Sequence, residues 1–137
     1  MIVFPNCKIN LGLHILRRRE DGFHELETVF YPVPLQDGLE IIQHPSPYTE
    51  VAFSASGLAV DGNLSDNICV KAYQLLKKDF PALPAVKMHL HKTIPLGAGL
   101  GGGSADGAFS LVLLNRKFSL GLEEGQLLAY ALQLGSD

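Results

Sequence analysis

The chain begins with a regular alternation of apolar and polar residues. Four apolar residues alternate with four polar or small ones, Ile9, Leu11, Leu13 and Ile15 against Lys8, Asn10, Gly12 and His14. Successive side chains of a strand point to opposite faces, so this pattern predicts a half-buried strand over residues 8–16. Asp21-Gly22 then indicates a turn, and residues 25–33 are expected to return as the next strand.

Further along, short strands are mixed with longer helices. Alternating or apolar runs predict strands at residues 39–43, 51–54 and 86–91, with Val86, Met88 and Leu90 on one face of the last. Three helices are predicted, at residues 67–80 with Ser65 or Asp66 as the cap, at 103–116 and at 122–134. This mixed order favours an α+β domain over a doubly wound sheet.

Composition narrows the class of protein. A chain of 137 residues with 47% hydrophobic and 18% charged residues is expected to form one compact globular domain. The net charge of -3 argues against nucleic acid as a partner. Neither a membrane-spanning run nor a signal peptide is recognised, so we expect a cytoplasmic protein. Cys7 and Cys69 lack metal-ligand spacing and are expected to be reduced thiols, and we assign no metal site.

The most informative segment is rich in glycine and lies between a predicted strand and a predicted helix. It comprises Pro95, Leu96, Gly97, Ala98, Gly99, Leu100, Gly101, Gly102, Gly103, Ser104 and Ala105. Small residues let backbone amides approach a ligand, and the helix dipole adds partial positive charge there. This pattern is typical of a phosphate-binding loop, the alternative being a flexible surface loop.

Other phosphate loops fit this segment less well. A Walker loop requires a lysine after the glycines, and none follows here. The spacing Gly97-x-Gly99-x-x-Gly102 matches the dinucleotide fingerprint, but residues 92–95 separate it from the strand and no acidic residue ends a second strand. A protein kinase would need a strand lysine downstream of the loop, which is absent.

The segment resembles the phosphate motif of the galactokinase, homoserine kinase, mevalonate kinase and phosphomevalonate kinase (GHMP) superfamily. Within it, the chain is most similar to the 4-diphosphocytidyl-2-C-methyl-D-erythritol kinases. Besides the glycine loop, the resemblance rests on KINLGLHI (8–15), DGFHEL (21–26), SDN (65–67), K-x-x-P (92–95) and LGSD (134–137). It implies the ribosomal protein S5 domain 2-like fold, a mixed sheet with helices packed on one face.

The resemblance also implies roles for individual residues. Lys8 and Asp137 would be catalytic, and Asn10, Phe23 and His24 would contact the cytidine-linked methylerythritol substrate. ATP, used as its magnesium complex, would be bound by the glycine loop together with Asn67, Ile68 and Lys92. Without the resemblance, Lys8 and Lys92 are also compatible with surface lysines, Asn67 with a helix cap, and Phe23 and His24 with core and turn residues.

Members of that family are about twice as long as this chain. We therefore expect residues 1–137 to be the N-terminal, ATP-binding domain, without the C-terminal GHMP domain, with little or no turnover alone and with an exposed face prone to self-association. Two alternatives stay open: a nucleotide-binding module without turnover, and a GHMP kinase with a mevalonate-like or homoserine-like acceptor. Asp21-Gly22-Phe23-His24 favours the cytidine substrate, because those acceptors have no base to stack.

Overall fold

The computed structural model describes residues 1–46 and 48–135. Its strands are β1 (Ile2–Val3), β2 (Asn6–Arg18), β3 (His24–Gln36), β4 (Gly38–Gln43), β5 (Val51–Gly57) and β6 (Val86–Lys92). Its helices are α1 (Ile68–Asp79), α2 (Gly102–Phe118) and α3 (Glu124–Leu134), and a 3₁₀ turn covers Leu64–Asp66. Each predicted strand and helix is present, and the predicted α+β class is confirmed.

The strands form two sheets. A mixed four-stranded sheet has the order β1-β4-β6-β5, with β5 parallel to β6 and the other pairs antiparallel. Strands β2 and β3 pair with each other as a separate antiparallel hairpin. The four-stranded sheet carries the core, and the hairpin extends from it.

The core lies between one face of the four-stranded sheet and the helices. In β6, Val86, Met88 and Leu90 are buried, whereas Lys87 and His91 are exposed. The buried face packs on apolar residues of α1 and α2: Ala72, Tyr73, Leu76, Leu111, Leu113 and Leu114. The predicted mixed sheet with helices on one face is therefore confirmed.

The cap of α1 differs from the prediction. Asn67, rather than Ser65 or Asp66, is the N-cap, and its side-chain oxygen accepts a hydrogen bond from the Cys69 amide at 2.9 Å. Ser65 and Asp66 instead lie in the preceding 3₁₀ turn. The 3₁₀ turn and α1 thus meet at Asn67.

The prediction of a half-buried first strand is wrong. Ile9, Leu11, Leu13 and Ile15 are 37–64% exposed, because the hairpin has no layer packed over it among the described residues. The register of β2 with β3 also shifts between Leu11 and Leu13, where Gly12 has φ +70°. Such a bulge reverses which residues face each side of the strand beyond it.

Within residues 1–46 and 48–135, no helix is long and apolar enough to cross a membrane. Cys7 and Cys69 are free and buried, and burial raises the pKa of the Cys69 thiol to about 12. This thiol is therefore protonated and unreactive at neutral pH.

Candidate active site between the hairpin and the glycine loop

The glycine loop takes a conformation that only glycine adopts without strain. Gly97, Gly99 and Gly101 have φ of +69°, +74° and +70°. Gly101 is the N-cap of α2 and offers no side chain to bond the first amides of that helix. Such amides have no partner within their own helix, so they favour an anion in front of them.

Lys8 is bound directly to this loop. Its amide donates to the Leu100 carbonyl at 2.9 Å, and its ammonium donates to the Gly99 carbonyl at 3.0 Å. A Cβ at Gly101 would lie 3.1 Å from Lys8 Cε, so the lysine chain passes close to the helix start. The structure thus places the predicted catalytic lysine beside the predicted phosphate-binding segment.

Asn10 holds the Lys8 ammonium from the other side. Its Oδ1 accepts from Lys8 Nζ at 2.8 Å, and its Nδ2 donates to Thr28 Oγ1 at 3.1 Å. The Thr28 hydroxyl in turn donates to the Gly12 carbonyl at 2.5 Å. The Phe30 ring lies 5.3 Å from the Lys8 ammonium, within the range of a cation–π contact. Thr28 and Phe30 belong to the returning strand β3, and no motif in the sequence singles them out.

One cleft of about 760 Å³ joins the predicted substrate residues to this group. Lys8, Asn10, Phe23, His24 and Gly99 all line it. Because the register shifts at Gly12, Leu13 and Ile15 face the same cleft and give it an apolar wall. A glycine within an alternating strand is a known signal for a bulge, and it could have predicted this wall.

The hairpin turn fixes Phe23. Asp21 Oδ1 accepts from the Phe23 amide at 3.1 Å, and Asp21 Oδ2 pairs with Arg19 at 2.7 Å. The Arg19 amide donates to the Phe23 carbonyl at 2.6 Å. The Phe23 side chain is 54% exposed, which leaves a ring face open to a ligand.

The residues predicted to bind ATP together with the glycine loop, Asn67, Ile68 and Lys92, do not line this cleft. Ile68 and Ser104 line a separate pocket of about 190 Å³ between the starts of α1 and α2 and the end of α3. Asn67 caps α1 through its side-chain oxygen, which matches the alternative role considered for it. The loop therefore lies between a large cleft and a small apolar pocket.

Lys92 is neither a surface lysine nor placed to reach a nucleotide with its ammonium. Its side chain is 1% exposed, and Nζ donates to Asp37 Oδ2 at 2.5 Å and to Asp106 Oδ2 at 2.8 Å. Both carboxylates are buried as well. A nucleotide contact through the ammonium would require it to leave two buried carboxylates, which is costly. The role of Lys92 in binding ATP stays a prediction.

The two carboxylates of this cluster differ in their number of partners. Burial raises the pKa of Asp37, but the amides of Ile94 and Thr93 and the Lys92 ammonium outweigh it and hold that pKa below its usual value of 3.8. Asp106 has Lys92 as its donor, and its Oδ1 is buried without a partner. Burial raises the pKa of Asp106 to about 7. At acidic pH the cluster is therefore neutral, with the extra proton on Asp106.

Asp137, the predicted catalytic base, lies outside the described residues. Within residues 1–46 and 48–135, no group of three or more His, Cys, Asp or Glu side chains is arranged to hold a metal ion. The described part of the site thus consists of the lysine, the glycine loop and the hairpin cleft.

Comparison with known protein families identifies the family of this chain. Residues 67–137, more than half of the 137-residue chain, match the GHMP kinases N terminal domain. The chain belongs to the GHMP kinase family. The matched range includes the glycine loop, α1 and α2, whereas Lys8 and the hairpin of this GHMP kinase domain lie before it.

Relatives extend the similarity over the hairpin. The chain is 55% identical over 137 residues to 4-diphosphocytidyl-2-C-methyl-D-erythritol kinase of Bacteroides thetaiotaomicron, covering 100% of this chain and 50% of that protein. It is 34% identical, with a TM-score of 0.82, to a crystal structure of 4-(cytidine 5'-diphospho)-2C-methyl-D-erythritol kinase, covering 100% of this chain and 47% of the other. The chain spans about half the length of the curated relatives it matches.

A more distant structure shares the fold. Mevalonate kinase of Methanococcus jannaschii is 13% identical with a TM-score of 0.68 over 98% of this chain. At this identity the likeness shows the fold alone.

We predict that Asp106→Asn flattens the pH dependence of stability of this GHMP kinase domain. The folded-state pKa of Asp106 is raised, so the native state holds a proton that the unfolded state has lost between about pH 4 and pH 7. The free energy of unfolding of the unsubstituted chain should fall as pH rises through this window. Asparagine carries no such proton, and the difference between the two chains should change by up to about 2 kcal/mol from pH 5 to pH 7.

The measurement is urea unfolding of both chains at pH 5, 6, 7 and 8. Parallel stability curves would mean that Asp106 titrates normally and that the cluster is not neutral at acidic pH.

Proposed function

We propose that this chain is the ATP-binding half of a kinase that phosphorylates the 2-hydroxyl of 4-diphosphocytidyl-2-C-methyl-D-erythritol in the non-mevalonate isoprenoid pathway. The observation that carries the proposal is the single cleft shared by Lys8, the glycine loop, and Phe23 with His24. A proposed cytidine-binding surface and a proposed phosphate-binding loop that line one cleft suit a substrate that carries both a base and a reacting alcohol.

The glycine loop would bind the β- and γ-phosphates of ATP through main-chain amides. The positive φ values and the uncapped start of α2 support this role. Phosphoryl transfer requires little covalent chemistry from a protein, so positioning and charge stabilisation account for most of the catalysis. ATP would enter as its magnesium complex, and the metal would neutralise charge on the phosphates; we assign no protein ligand to it.

Lys8 would stabilise the charge that moves from the γ-phosphate to the acceptor. Its ammonium already lies 3.0 Å from the Gly99 carbonyl, and Asn10 orients it from the side of the cleft. Asn10 would also contact the methylerythritol group. Asp137, the proposed base, would accept the proton of the attacking hydroxyl, a role proposed from the family resemblance.

Phe23 and His24 would recognise the cytosine. Phe23 offers a flat, exposed face for stacking, and its backbone is fixed by Asp21 and Arg19. His24 adds ring nitrogens and backbone groups that can bond the edge of the base. The relatives that cover the whole of this chain are named for a cytidine-linked substrate, which favours it over other alcohols.

The exposed apolar surface of the hairpin supports the proposal that a further domain packs against this one. Leu11, Val29 and Tyr31 are each more than half exposed, although they lie in paired strands. Contiguous exposed apolar residues of this kind mark surfaces that are covered by a partner. We propose that a second half of the protein covers this surface and closes the cleft, and that the 137 residues alone tend to self-associate through it.

The role of the loop predicts an effect of Gly103→Ala on nucleotide binding. Gly103 is the second residue of α2, and nothing lies within 4 Å of a Cβ built there. The methyl group would occupy the space that a phosphate must enter. It would not destabilise the fold, because alanine favours the helix over glycine by up to about 1 kcal/mol. We expect ATP affinity to fall at least tenfold while the melting temperature is unchanged or higher, as measured by calorimetry.

Gly125→Ala is the matched control. Gly125 is the second residue of α3, and a Cβ there also meets nothing within 4 Å, but it lies outside the glycine loop. Its substitution should change stability in the same way and leave ATP affinity as it is. Equal ATP affinities in the two variants would exclude the loop as the phosphate site.

Stacking on Phe23 predicts an effect on cytidine binding. Phe23→Ala should weaken binding of CDP by about 1–3 kcal/mol, the usual contribution of a base stacked on an aromatic ring. Tyr31→Ala serves as the control, because Tyr31 is 56% exposed on the same hairpin but does not line the cleft. Titration calorimetry with CDP measures both, and a CDP affinity indifferent to Phe23→Ala would favour a mevalonate-like acceptor.

A further inference from the structure

The buried cluster of Asp37, Lys92 and Asp106 lies beside the glycine loop but does not line the cleft. All three side chains are at most 2% exposed. They come from three separate parts of the fold: the β3–β4 junction, the end of β6 and the first turns of α2. Nothing in the chemistry proposed above uses them directly.

Asp37 fixes the backbone that enters the loop. Its Oδ1 accepts from the amides of Thr93 and Ile94 at 2.6 and 2.8 Å, directly before Pro95. Its own amide donates to the Pro5 carbonyl at 2.9 Å, in the segment that leads into β2. Asp37 therefore sets the entry of the loop relative to the strand that carries Lys8.

Lys92 and Asp106 fix the exit of the loop. Asp106 is the fifth residue of α2, and its Oδ2 accepts from the Lys92 ammonium, which also binds Asp37. One ammonium thus links the two ends of the loop. The ends are also closely packed, because a Cβ at Gly102 would lie 2.7 Å from Ile94 Cγ2 and 3.3 Å from Lys92 Nζ.

We propose that Asp37, Lys92 and Asp106 form a clamp that sets the spacing between the two ends of the phosphate loop, so that Lys92 and Asp106 act as positioning residues and not as nucleotide ligands. The proposal rests on the proposed function for the identity of the ligand. It assigns to Lys92 a different role from direct contact with ATP.

A gain in folding stability does not explain why these three charged side chains are buried together. Removing two carboxylates and an ammonium from water is costly, and apolar replacements for buried ion pairs are often as stable or more so. Asp106 Oδ1 adds a further cost, because it is buried without a partner. Ion pairs and charge-assisted hydrogen bonds do, however, fix distance and direction, which is what a loop that binds phosphate through its amides requires.

The test compares three variants of the 137-residue chain. Asp106→Leu removes the link between Lys92 and α2 but leaves the Asp37–Lys92 pair neutral, and Asp106→Asn keeps an oxygen that can accept from Lys92. Ser110→Ala is the control: Ser110 is buried one turn further along α2, and its hydroxyl donates to the Asp106 carbonyl at 2.7 Å. It removes a buried hydrogen bond from the same helix and leaves the Asp106 carboxylate and its contact with Lys92 in place.

We expect Asp106→Leu to bind ATP at least tenfold more weakly in calorimetry, and Asp106→Asn to stay within about threefold of the unsubstituted chain. Ser110→Ala should lower the melting temperature and leave ATP affinity unchanged. CDP affinity should not change in any variant, because Phe23 and His24 lie on the hairpin. A folded Asp106→Leu that binds ATP normally would overturn the proposal, as would a loss of CDP affinity equal to the loss of ATP affinity.

Hydrogen exchange of the amides of residues 97–103 without nucleotide tests the clamp independently of the ligand. Faster exchange in Asp106→Leu than in Ser110→Ala supports the clamp, whether or not the unsubstituted chain binds ATP. Failure of the unsubstituted chain to bind ATP would refute the proposed function and not the clamp. Equal exchange in the two variants would overturn the clamp. If Asp106→Leu does not fold, Asp106→Ala removes the same carboxylate without added bulk and replaces it in each comparison.

Discussion

Lys8 joins the hairpin to the rest of the domain at the glycine loop. Its amide and its ammonium bond two successive carbonyls of the loop, those of Leu100 and Gly99. The hairpin and the four-stranded sheet are separate sheets, so this contact determines where the hairpin cleft lies relative to the start of α2. It is the direct link between the surface proposed for cytidine and the loop proposed for phosphate.

Glycine and charge act together on the loop. Three left-handed glycines shape it and direct its amides, but the same glycines provide no side-chain contacts to hold it. The contacts that hold the loop therefore come from outside it. Lys8 bonds the loop directly, and we infer that the buried cluster of Asp37, Lys92 and Asp106 fixes its two ends. The loop proposed to bind phosphate is thus held by charged neighbours that need not touch the ligand.

The elements of the fold could be predicted from local patterns, but not the packing of the hairpin. Alternation in β6 is a reliable sign of a buried face, and it was right because the strand is central and covered by helices. The same alternation in β2 was misleading, because Gly12 introduces a bulge and no described layer covers the strand. Periodicity shows which residues share a face of a regular strand, and it does not show what covers that face.

The site was predicted only where its residues form a local motif or match the family. Residues within or next to the glycine loop follow from a contiguous motif, and Lys8 and Phe23 follow from family resemblance. Asp37 was missed because Asp-Gly between two strands is typical of a turn, and its contacts with Thr93 and Ile94 are 56 and 57 residues away in sequence. The burial of Lys92 was not predicted, because a lysine at a strand end is usually exposed and its buried partners come from tertiary structure alone.

The most direct test of the account is the rate of ATP-dependent phosphorylation of 4-diphosphocytidyl-2-C-methyl-D-erythritol by a chain extended to the length of its relatives. Lys8→Met should lower kcat by about 10²-fold or more, the usual cost of removing a group that stabilises transition-state charge. Lys87→Met is the control, since Lys87 is exposed on the opposite face of the sheet from the helices. Turnover in the control together with its loss in Lys8→Met is the predicted result. Equal turnover in both variants, or none in the unsubstituted chain, would contradict the account.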